Sequence, residues 1–366
     1  MKSFFQRYLL PGLLFQSVII SGGYSTGREL VEFFMSSGPI RGISSMLVTM
    51  VFMSVILVLT FEFARIHKAY DYRTFFKALL GNAWILFEFS FFALAILVLA
   101  IIGAASGVIF SEMTNAPDYV GTIIVIFAIG TLAFYGTSLI EKIVSIWSFV
   151  LYAAYISLFV LAVRGLGAEV TMVVEQHSAI DPDWHQALKY AGINLAAAPA
   201  ILFGIHHIST RRESIWAGVL AGPIAMIPAL LFYCILLSQY PEVLEQEVPL
   251  VSLLAALNFS AFGMVFKIII FGTYIETGVA MVHSINERIA GMRRGKAKEM
   301  PKIQRVIVAA ILLISSIYLA TTIGLIKLIG QGYGTLTYVI LAVYILPLIT
   351  IGLGQIRRAN QKQEIL

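Results

Sequence analysis

Cysteine and charge are both scarce in this chain of 366 residues. It carries one cysteine, Cys234, so a disulfide or a cysteine-ligated metal within one chain is excluded. Charged residues make up 12% of the sequence and hydrophobic residues 59%, which is more apolar surface than a soluble domain could bury. The sequence contains no His-Glu-x-x-His zinc motif and no Gly-x-Ser-x-Gly nucleophile elbow, so we do not expect an enzyme.

Apolar runs long enough to cross about 30 Å of hydrocarbon recur along the chain. The first follows Lys2 and Arg7 and resembles a signal peptide, but no small-residue cleavage site comes after it, so we interpret it as the first span. The runs predict an all-α polytopic membrane protein with ten transmembrane helices in one membrane domain. The predicted spans are 8–36, 41–65, 83–111, 119–139, 143–165, 188–219, 222–239, 260–289, 303–325 and 332–355, of which the first and sixth are interrupted.

The distribution of charge predicts the orientation in the membrane. Basic residues concentrate near both termini and in the loops on the same side, above all between Arg288 and Arg305, whereas the opposite loops are acidic. By the positive-inside rule, both termini are cytoplasmic and the protein lies in the plasma membrane. The basic loop could also bind anionic lipid, although topology determination alone accounts for its charge. We expect no nucleic-acid partner for the formal net charge of +5.

An internal repeat covers nearly the whole chain. The string Ser25-Thr26-Gly27-Arg28-Glu29 returns 184 residues later as Ser209-Thr210-Arg211-Arg212-Glu213, and the same offset aligns Gly38-Pro39 with Gly222-Pro223. Each copy holds five spans, so the second copy must enter the membrane from the opposite face. The sequence therefore predicts two inverted five-helix repeats, 1–183 and 184–366.

Glycine and hydroxyl residues interrupt the first predicted span between Ser21 and Gly27. A glycine costs about 1 kcal/mol relative to alanine inside a helix, and unwound backbone at membrane depth must line a cavity or pack within protein. A capping-box pattern follows in both repeats, Thr26-x-x-Glu29 and Thr210-x-x-Glu213, which predicts Glu29 and Glu213 as helix caps. Half-helices that begin near mid-membrane direct N–H groups into the cavity and favour a carboxylate-bearing solute.

Charged and titratable side chains beside the two breaks have alternative interpretations. Arg28 either clamps the solute or forms a structural ion pair with a buried carboxylate such as Glu88 or Glu276. His206 and His207 precede the second motif, and one of them could carry a coupling proton or bind the solute. A hydrogen-bonded packing role is the alternative for each histidine.

The eighth predicted span has an unusual polar load for a transmembrane helix. Thr273 and Thr277 lie one turn apart on one face, where their hydroxyls either coordinate sodium with unwound carbonyls near Gly22 or bond back to their own helix. Lys267 and Glu276 lie on opposite faces of the helix and cannot pair with each other. If Lys267 points towards the threonines, its ammonium group takes the place of a sodium ion and favours proton coupling.

Two strings resemble a known family. Gly22-Gly23-Tyr24-Ser25-Thr26-Gly27-Arg28-Glu29, with Phe33-Phe34, and Tyr274-Ile275-Glu276-Thr277-Gly278, with His283-Ser284-Ile285-Asn286-Glu287-Arg288, are similar to the YkvI family of bacterial membrane proteins. More widely, the helix plan resembles the LeuT-type fold of the amino acid, polyamine and organocation superfamily. That resemblance implies a substrate pocket between the breaks of helices one and six, and often a sodium site between helices one and eight. Many sodium-coupled members have adjacent hydroxyl residues in helix eight, a pattern from which this chain departs.

These observations predict a proton- or sodium-coupled symporter of an amino acid or a related small carboxylate or amine, working by alternating access. A non-transporting membrane sensor with the same fold is the alternative. The expected partners are a small-molecule substrate and the lipid bilayer, with no cofactor besides a coupling Na⁺ or H⁺. The predicted substrate-binding residues are Gly22, Gly23, Tyr24, Ser25, Thr26, Arg28, His206, His207, Ser209 and Thr210, and the predicted ion-coupling residues are Lys267, Thr273, Glu276, Thr277 and Glu88.

Overall fold

A computed structural model describes residues 4–20, 22–135, 137–293 and 302–364, and within these ranges the chain forms helices and turns without a strand. The α-helices are α1 (Leu10–Ile19), α2 (Gly22–Thr26), α3 (Arg28–Phe33), α4 (Pro39–His67), α5 (Tyr72–Leu80), α6 (Ile85–Thr114), α7 (Asp118–Tyr135), α8 (Thr137–Gln176), α9 (Trp184–Leu195), α10 (Arg211–Leu236), α11 (Pro249–Ala256), α12 (Ser260–Arg293), α13 (Lys302–Ile323), α14 (Leu325–Lys327), α15 (Gly334–Ile340) and α16 (Leu353–Glu364). Short 3-10 helices lie at Met35–Ser37, Gly81–Trp84, Ala198–Ile205, Leu237–Gln239 and Glu242–Leu244, and π-helical segments at Phe5–Leu9, Leu328–Tyr333, Leu341–Ile345 and Leu348–Gly352.

The length and apolar character of the helices confirm the prediction of an all-α membrane protein. In the described part of the chain, the segments long and apolar enough to cross a bilayer number seven: Pro39–His67, Tyr72–Thr114, Ala153–Gln176, Arg211–Gln239, Ser260–Asn286, Ile303–Ile323 and Leu325–Gln361. Helix α9 and the 3-10 helix after it form an eighth candidate span. Large apolar side chains such as Phe127, 74% exposed, and Ile314, 67% exposed, point outward and are suited to contact lipid.

The first helical region changes direction where glycine and hydroxyl residues cluster. Helix α1 ends at Ile19, and Ile20 leaves the helical conformation with φ −74° and ψ 81°. A second interruption falls at Gly27, which separates α2 from α3 and has φ +80°, a conformation that side chains with a Cβ rarely adopt. Residue 21 lies outside the described residues. The stretch predicted to unwind is therefore helical from Gly22 to Thr26, and the chain departs from the helix on either side of it, at Ile20 and Gly27.

The second interrupted region lies earlier in the chain than the repeat predicts. Helix α9 ends at Leu195, and its axis makes an angle of 54° with the 3-10 helix that begins at Ala198. Pro199 occupies the first turn of that 3-10 helix, where its missing N–H is tolerated. The break is thus at Ala196–Ala197, and the prediction that His206–Thr210 forms it is wrong.

Helix α10 corrects the predicted boundary between the sixth and seventh spans. The helix runs without a break from Arg211 to Leu236, although Pro223 and Pro228 lie inside it. The Val219 carbonyl, which Pro223 leaves without its helical N–H donor, accepts a hydrogen bond from the Ser54 hydroxyl of α4 at 3.1 Å. Helix α10 crosses α4 so closely that a Cβ at Gly218 would lie 2.5 Å from the Val58 Cα. The offset of 184 residues relates the first residues of α7 and α13, Asp118 and Lys302, but α4 and α10 begin at Pro39 and Arg211 and do not share it.

The helices form a bundle whose two ends differ in their contacts. We call the end where the chain begins and stops the terminal end: there Arg7 pairs with Glu213 at 2.8 Å, and the Gln355 amide donates to the Ala78 carbonyl. At the opposite end Arg41 pairs with Asp181. Most of the predicted basic loop between Arg288 and Arg305 lies outside the described residues.

Asp183 connects two elements at the opposite end of the bundle. Its carboxylate accepts hydrogen bonds from the Gln186 N–H, at the start of α9, and from the Ser37 hydroxyl. Burial raises the pKa of this carboxyl, but those two hydrogen bonds outweigh the burial and hold the pKa below its usual value. Asp183 therefore remains charged at neutral pH and caps α9.

Candidate functional site

A narrow cavity lies between the two interrupted regions. It leaves about 30 Å³ for the centres of water-sized molecules and receives side chains from the first interrupted region, α6, the second break, α12 and the π-helical segment Leu328–Tyr333. Val18, Ile19, Leu94, Val98, Ile193, Ala197 and Met281 supply apolar walls, while Glu29, Asn194 and Tyr333 supply the polar groups. A mostly apolar cleft with a few convergent polar groups is typical of a small-molecule site.

Glu29 is the ionisable carboxylate among the side chains that line this cavity. It is 2% exposed, and its carboxylate accepts a hydrogen bond from the backbone of Tyr24, in the first turn of α2. A Cβ at Gly23 would lie 2.8 Å from the Glu29 Cδ, so the carboxylate can fold back against α2 only because residue 23 has no side chain. The predicted box between Thr26 and Glu29 is therefore absent, since Glu29 caps the helix that precedes it.

Polar groups of α9 lie beside Glu29. The Asn194 side chain donates to the Tyr190 carbonyl at 2.9 Å, which fixes the amide within the cavity wall. Tyr190 is completely buried near Glu29 and Tyr333, and its hydroxyl has no hydrogen-bond partner of standard geometry among the described residues. Sequence reasoning missed all three of these cavity neighbours, although the run Asn194-Leu195-Ala196-Ala197-Ala198-Pro199 carries a weak signal for a break.

The predicted substrate residues of the first motif separate into two groups. Gly22, Gly23, Tyr24, Ser25 and Thr26 are buried in α2. The Ser25 hydroxyl donates to the Gly22 carbonyl at 3.1 Å, and the Thr26 hydroxyl to the Gly23 carbonyl at 2.7 Å. These hydroxyls therefore bond back to their own turn, and α2 contributes backbone to the neighbourhood of the cavity.

Arg28 points away from the cavity. Its guanidinium donates to the carbonyls of Leu244 and Gln246 at 2.8 and 2.9 Å and pairs with Glu32 at 2.6 Å. The structural interpretation of Arg28 is correct, but the predicted partners Glu88 and Glu276 are wrong. Glu32 lies one turn after Arg28 on the same helix, so its position in the sequence allows this pair. The sequence analysis instead favoured a buried carboxylate as the partner, because a buried acid needs a counter-charge.

The residues of the second motif lie at the terminal end, far in the fold from the cavity. His206 is exposed and its ring packs against His207 with 3.7 Å between centroids, while Ser209 and Thr210 are exposed in the turn before α10. The capping box predicted for Thr210 and Glu213 is confirmed, with the Thr210 hydroxyl accepting from the Glu213 N–H at 3.2 Å and the Glu213 carboxylate accepting from the Thr210 N–H. Two of the predicted substrate residues, Ser209 and Thr210, thus serve the start of α10.

We expect Thr210→Ala to destabilise the protein by about 1 kcal/mol, because it removes one half of the capping box. Thermal or denaturant unfolding of the purified protein would show the loss. Arg212→Ala, on the exposed face of the same turn, is the matched control and should change stability by less than about 0.5 kcal/mol. Equal unfolding midpoints for the two variants would contradict the capping role.

Two charged members of the predicted ion-coupling set, Lys267 and Glu88, lie at opposite ends of the bundle. Lys267 pairs with Glu112 near the end of α6, and Glu88 lies 3.6 Å from the Arg288 guanidinium, near the start of α6. Neither side chain reaches the threonines of α12. The alternative in which Lys267 points towards the threonines and takes the place of a sodium ion is therefore not the one that the structure shows.

The other three members, Thr273, Glu276 and Thr277, lie within about one turn of one another on α12. The buried Thr273 hydroxyl donates to the Ile269 carbonyl at 3.1 Å, so the alternative in which it bonds back to its own helix is correct. Glu276 and Thr277 are half-buried, and Glu276 forms no ion pair with a described residue. Glu276 is thus the carboxylate of this set with which no described cation pairs.

Comparison with known proteins agrees with the fold. No family model matches the chain. The uncharacterized membrane protein YkvI of Bacillus subtilis (strain 168) is 23% identical over 332 residues, which cover 90% of this chain and 92% of that protein. This similarity confirms the resemblance that the two sequence strings indicate.

Three solved structures share the architecture. A Na⁺-coupled sialic acid symporter, in a substrate-bound outward-open state, has a TM-score of 0.64 at 14% identity and covers 93% of this chain and 78% of its own. The Eremococcus coleocola manganese transporter has a TM-score of 0.64 at 12% identity, with 94% and 78% covered. MhsT in complex with L-phenylalanine has a TM-score of 0.57 at 14% identity, with 98% of both chains covered. The chain therefore has the fold of LeuT-type transporters.

Proposed function

We propose that this chain is a secondary active transporter that moves a small amino-acid-like or amine solute through the central cavity by alternating access. The observation that supports it best is the meeting of two interrupted helical regions at that cavity, since discontinuous helices at mid-membrane are how transporters of inverted-repeat folds build their sites. At such depth the N–H and C=O groups of non-helical backbone must find hydrogen-bond partners within the protein or in a water-filled cavity.

The ten-span plan supports the proposal. Helices α1 to α3 make one span, α9 with its 3-10 helix makes the sixth, and α4, α6, α7, α8, α10, α12, α13 and the segment α14 to α16 make the others. Five spans then precede residue 184 and five follow it, which gives two repeats of opposite orientation. Arg7, Arg65 and Arg288 lie at the terminal end, in keeping with a cytoplasmic location for both termini in the plasma membrane.

Coupling to a Na⁺ or H⁺ gradient completes the proposal. The similar sialic acid symporter is Na⁺-coupled, and Thr277 and Glu276 offer oxygen ligands on the helix that corresponds to the eighth span. Symport with either ion is compatible with these oxygens, because a carboxylate binds sodium or a proton. A membrane enzyme is not supported by any of the structural similarities.

Uptake into proteoliposomes tests the transporter. The purified protein is given radiolabelled amino acids and amines while sodium and proton gradients are imposed separately. Ala197→Leu should reduce gradient-driven uptake at least about tenfold, because the added side chain fills the cavity. Ala200→Leu, a half-buried alanine of the adjacent 3-10 helix that does not line the cavity, is the matched control and should retain uptake. Solute binding without flux under either gradient would replace the transporter by a sensor.

A further inference from the structure

The charge of the cavity is opposite to the charge that the sequence predicts. Both the helix restart and Arg28 suggest a positive site for a carboxylate. In the structure, Glu29 lines the cavity, and no lysine, arginine or histidine is among the lining side chains. An anionic group placed there would face a buried carboxylate at close range, and like charges at low dielectric repel strongly.

The described cations near this part of the fold are engaged elsewhere. Arg28, on the same helix as Glu29, binds two loop carbonyls and Glu32. Lys267 and Arg288, two cations of α12, pair with Glu112 and Glu88 at the two ends of the bundle. None of the ion pairs among the described residues includes Glu29, so no described cation neutralises this carboxylate.

The groups around Glu29 are those that recognise an ammonium group. A carboxylate buried in a membrane protein is paired or functional, because its isolated charge is costly in low dielectric. Asn194 adds an amide oxygen, and Tyr333 lines the cavity with an aromatic ring, to which a cation is attracted. The titratable neighbours of Glu29 are Tyr190 of α9 and Tyr333 of the segment Leu328–Tyr333. Among the described residues, no donor forms a hydrogen bond of standard geometry with the Tyr190 hydroxyl.

We propose that Glu29 is the counter-charge for a protonated amine of the solute, so that the cavity selects small organic monocations and does not require a carboxylate. This inference rests on the proposed function and names the substrate class for the same site. The narrowness of the cavity restricts the deeply bound part to a small group, and the apolar side chains around it fit an aliphatic or aromatic body. An amine lacking the carboxylate binds at least as well as the parent amino acid.

Matched solutes test the selection by charge. Equilibrium binding to the purified full-length protein at neutral pH is measured for two triplets that share a carbon skeleton: leucine, isoamylamine and isocaproate, then phenylalanine, phenethylamine and phenylpropionate. At least one amine should bind with an affinity equal to or higher than that of its parent amino acid. The corresponding acid should show no binding in the same concentration range.

Substitution of Glu29 tests the residue. Glu29→Gln keeps the shape of the side chain and removes the charge, and it should weaken amine binding at least about 30-fold, the loss expected when one partner of a buried charge pair is removed. Glu29→Asp keeps the charge and should retain more affinity than Glu29→Gln, which separates loss of charge from disturbed folding. Glu32→Gln, one turn along the same helix and outside the cavity, is the matched control and should bind within about twofold of the unaltered protein.

Three results overturn the inference, and the first two differ from a failure of the transporter. Binding or uptake of the acids without the amines, or undiminished amine binding in Glu29→Gln, rejects the counter-charge while gradient-driven flux still supports a transporter. Amine binding that depends on Glu29 in a protein without flux supports the inference and rejects the transporter. If none of the six probes binds, the cavity is not a site for such monocations and the inference is rejected.

Discussion

Exchanging Arg288 for alanine should lower the stability of the protein by about 3–5 kcal/mol, the range measured when one partner of a buried ion pair is removed. Arg288 and Glu88 are each 4% exposed, and their nearest charged atoms are 3.6 Å apart. The guanidinium also lies between two aromatic rings, 3.6 Å from the Tyr72 centroid and 3.5 Å from that of Phe91. Alanine would remove the cation and leave the Glu88 carboxylate buried without a partner.

The pair joins three elements at the terminal end: the last turns of α12, the first turns of α6, and α5, which carries Tyr72. Denaturant or thermal unfolding in detergent would show the loss, with Arg41→Ala as the control. Arg41 and Asp181 form an ion pair that is 38% and 69% exposed at the other end, so its removal should cost less than about 1 kcal/mol. A double variant, Glu88→Gln with Arg288→Met, should recover much of the stability, because it removes both charges. Equal stability of Arg288→Ala and Arg41→Ala would show that the buried pair contributes nothing.

The substitution Gly218→Ala should destabilise the protein by about 1–3 kcal/mol, although alanine has a higher helix propensity than glycine. The residue faces α4, and a Cβ there would lie 2.5 Å from the Val58 Cα. Because the obstructing atom belongs to the backbone, no rotamer change relieves the contact, and the two helices must move apart. Gly222, one turn later, is equally close to the Met50 carbonyl at 2.5 Å, so the double variant should lose more.

The control for Gly218→Ala is Gly167→Ala. Gly167 lies within α8, and a Cβ there would meet no atom within 4 Å, so the substitution should raise stability by up to about 1 kcal/mol. The sign of the two changes is thus opposite, which unfolding midpoints measure directly. Destabilisation by both variants would mean that loss of glycine flexibility, and not the α4–α10 contact, determines the effect.

The long apolar runs are sufficient to predict the fold class. The cluster of glycine and hydroxyl residues is sufficient to predict the region of the first interruption. Apolar runs define spans because lipid admits only helices with satisfied backbone, and this rule needs no tertiary information. The predicted boundary between the spans 188–219 and 222–239 is wrong, because it depends on tertiary packing. Whether a proline ends a helix depends on the packing of its neighbours, and the close approach of α4 to α10 is invisible in a single sequence.

The candidate site was predicted only in part because helix rotation was unknown. The first motif led to α2 and Glu29, which do adjoin the cavity. The second motif matched by residue type, yet its copy starts α10, since a threonine and a glutamate three residues apart cap a helix wherever it begins. The direction of Arg28 was equally beyond the sequence, because its carbonyl partners belong to a loop more than 200 residues away.

By binding this loop, Arg28 couples the position of the loop to that of α3. Two hydrogen bonds from one guanidinium join α3 to the loop at Leu244 and Gln246, while Gly27, with its positive φ, forms the joint between α3 and the cavity-side helix α2. A tilt of α3 about Gly27 would therefore move the loop together with the helix. The arginine that resembles a ligand clamp thus joins a remote loop to the first helical region.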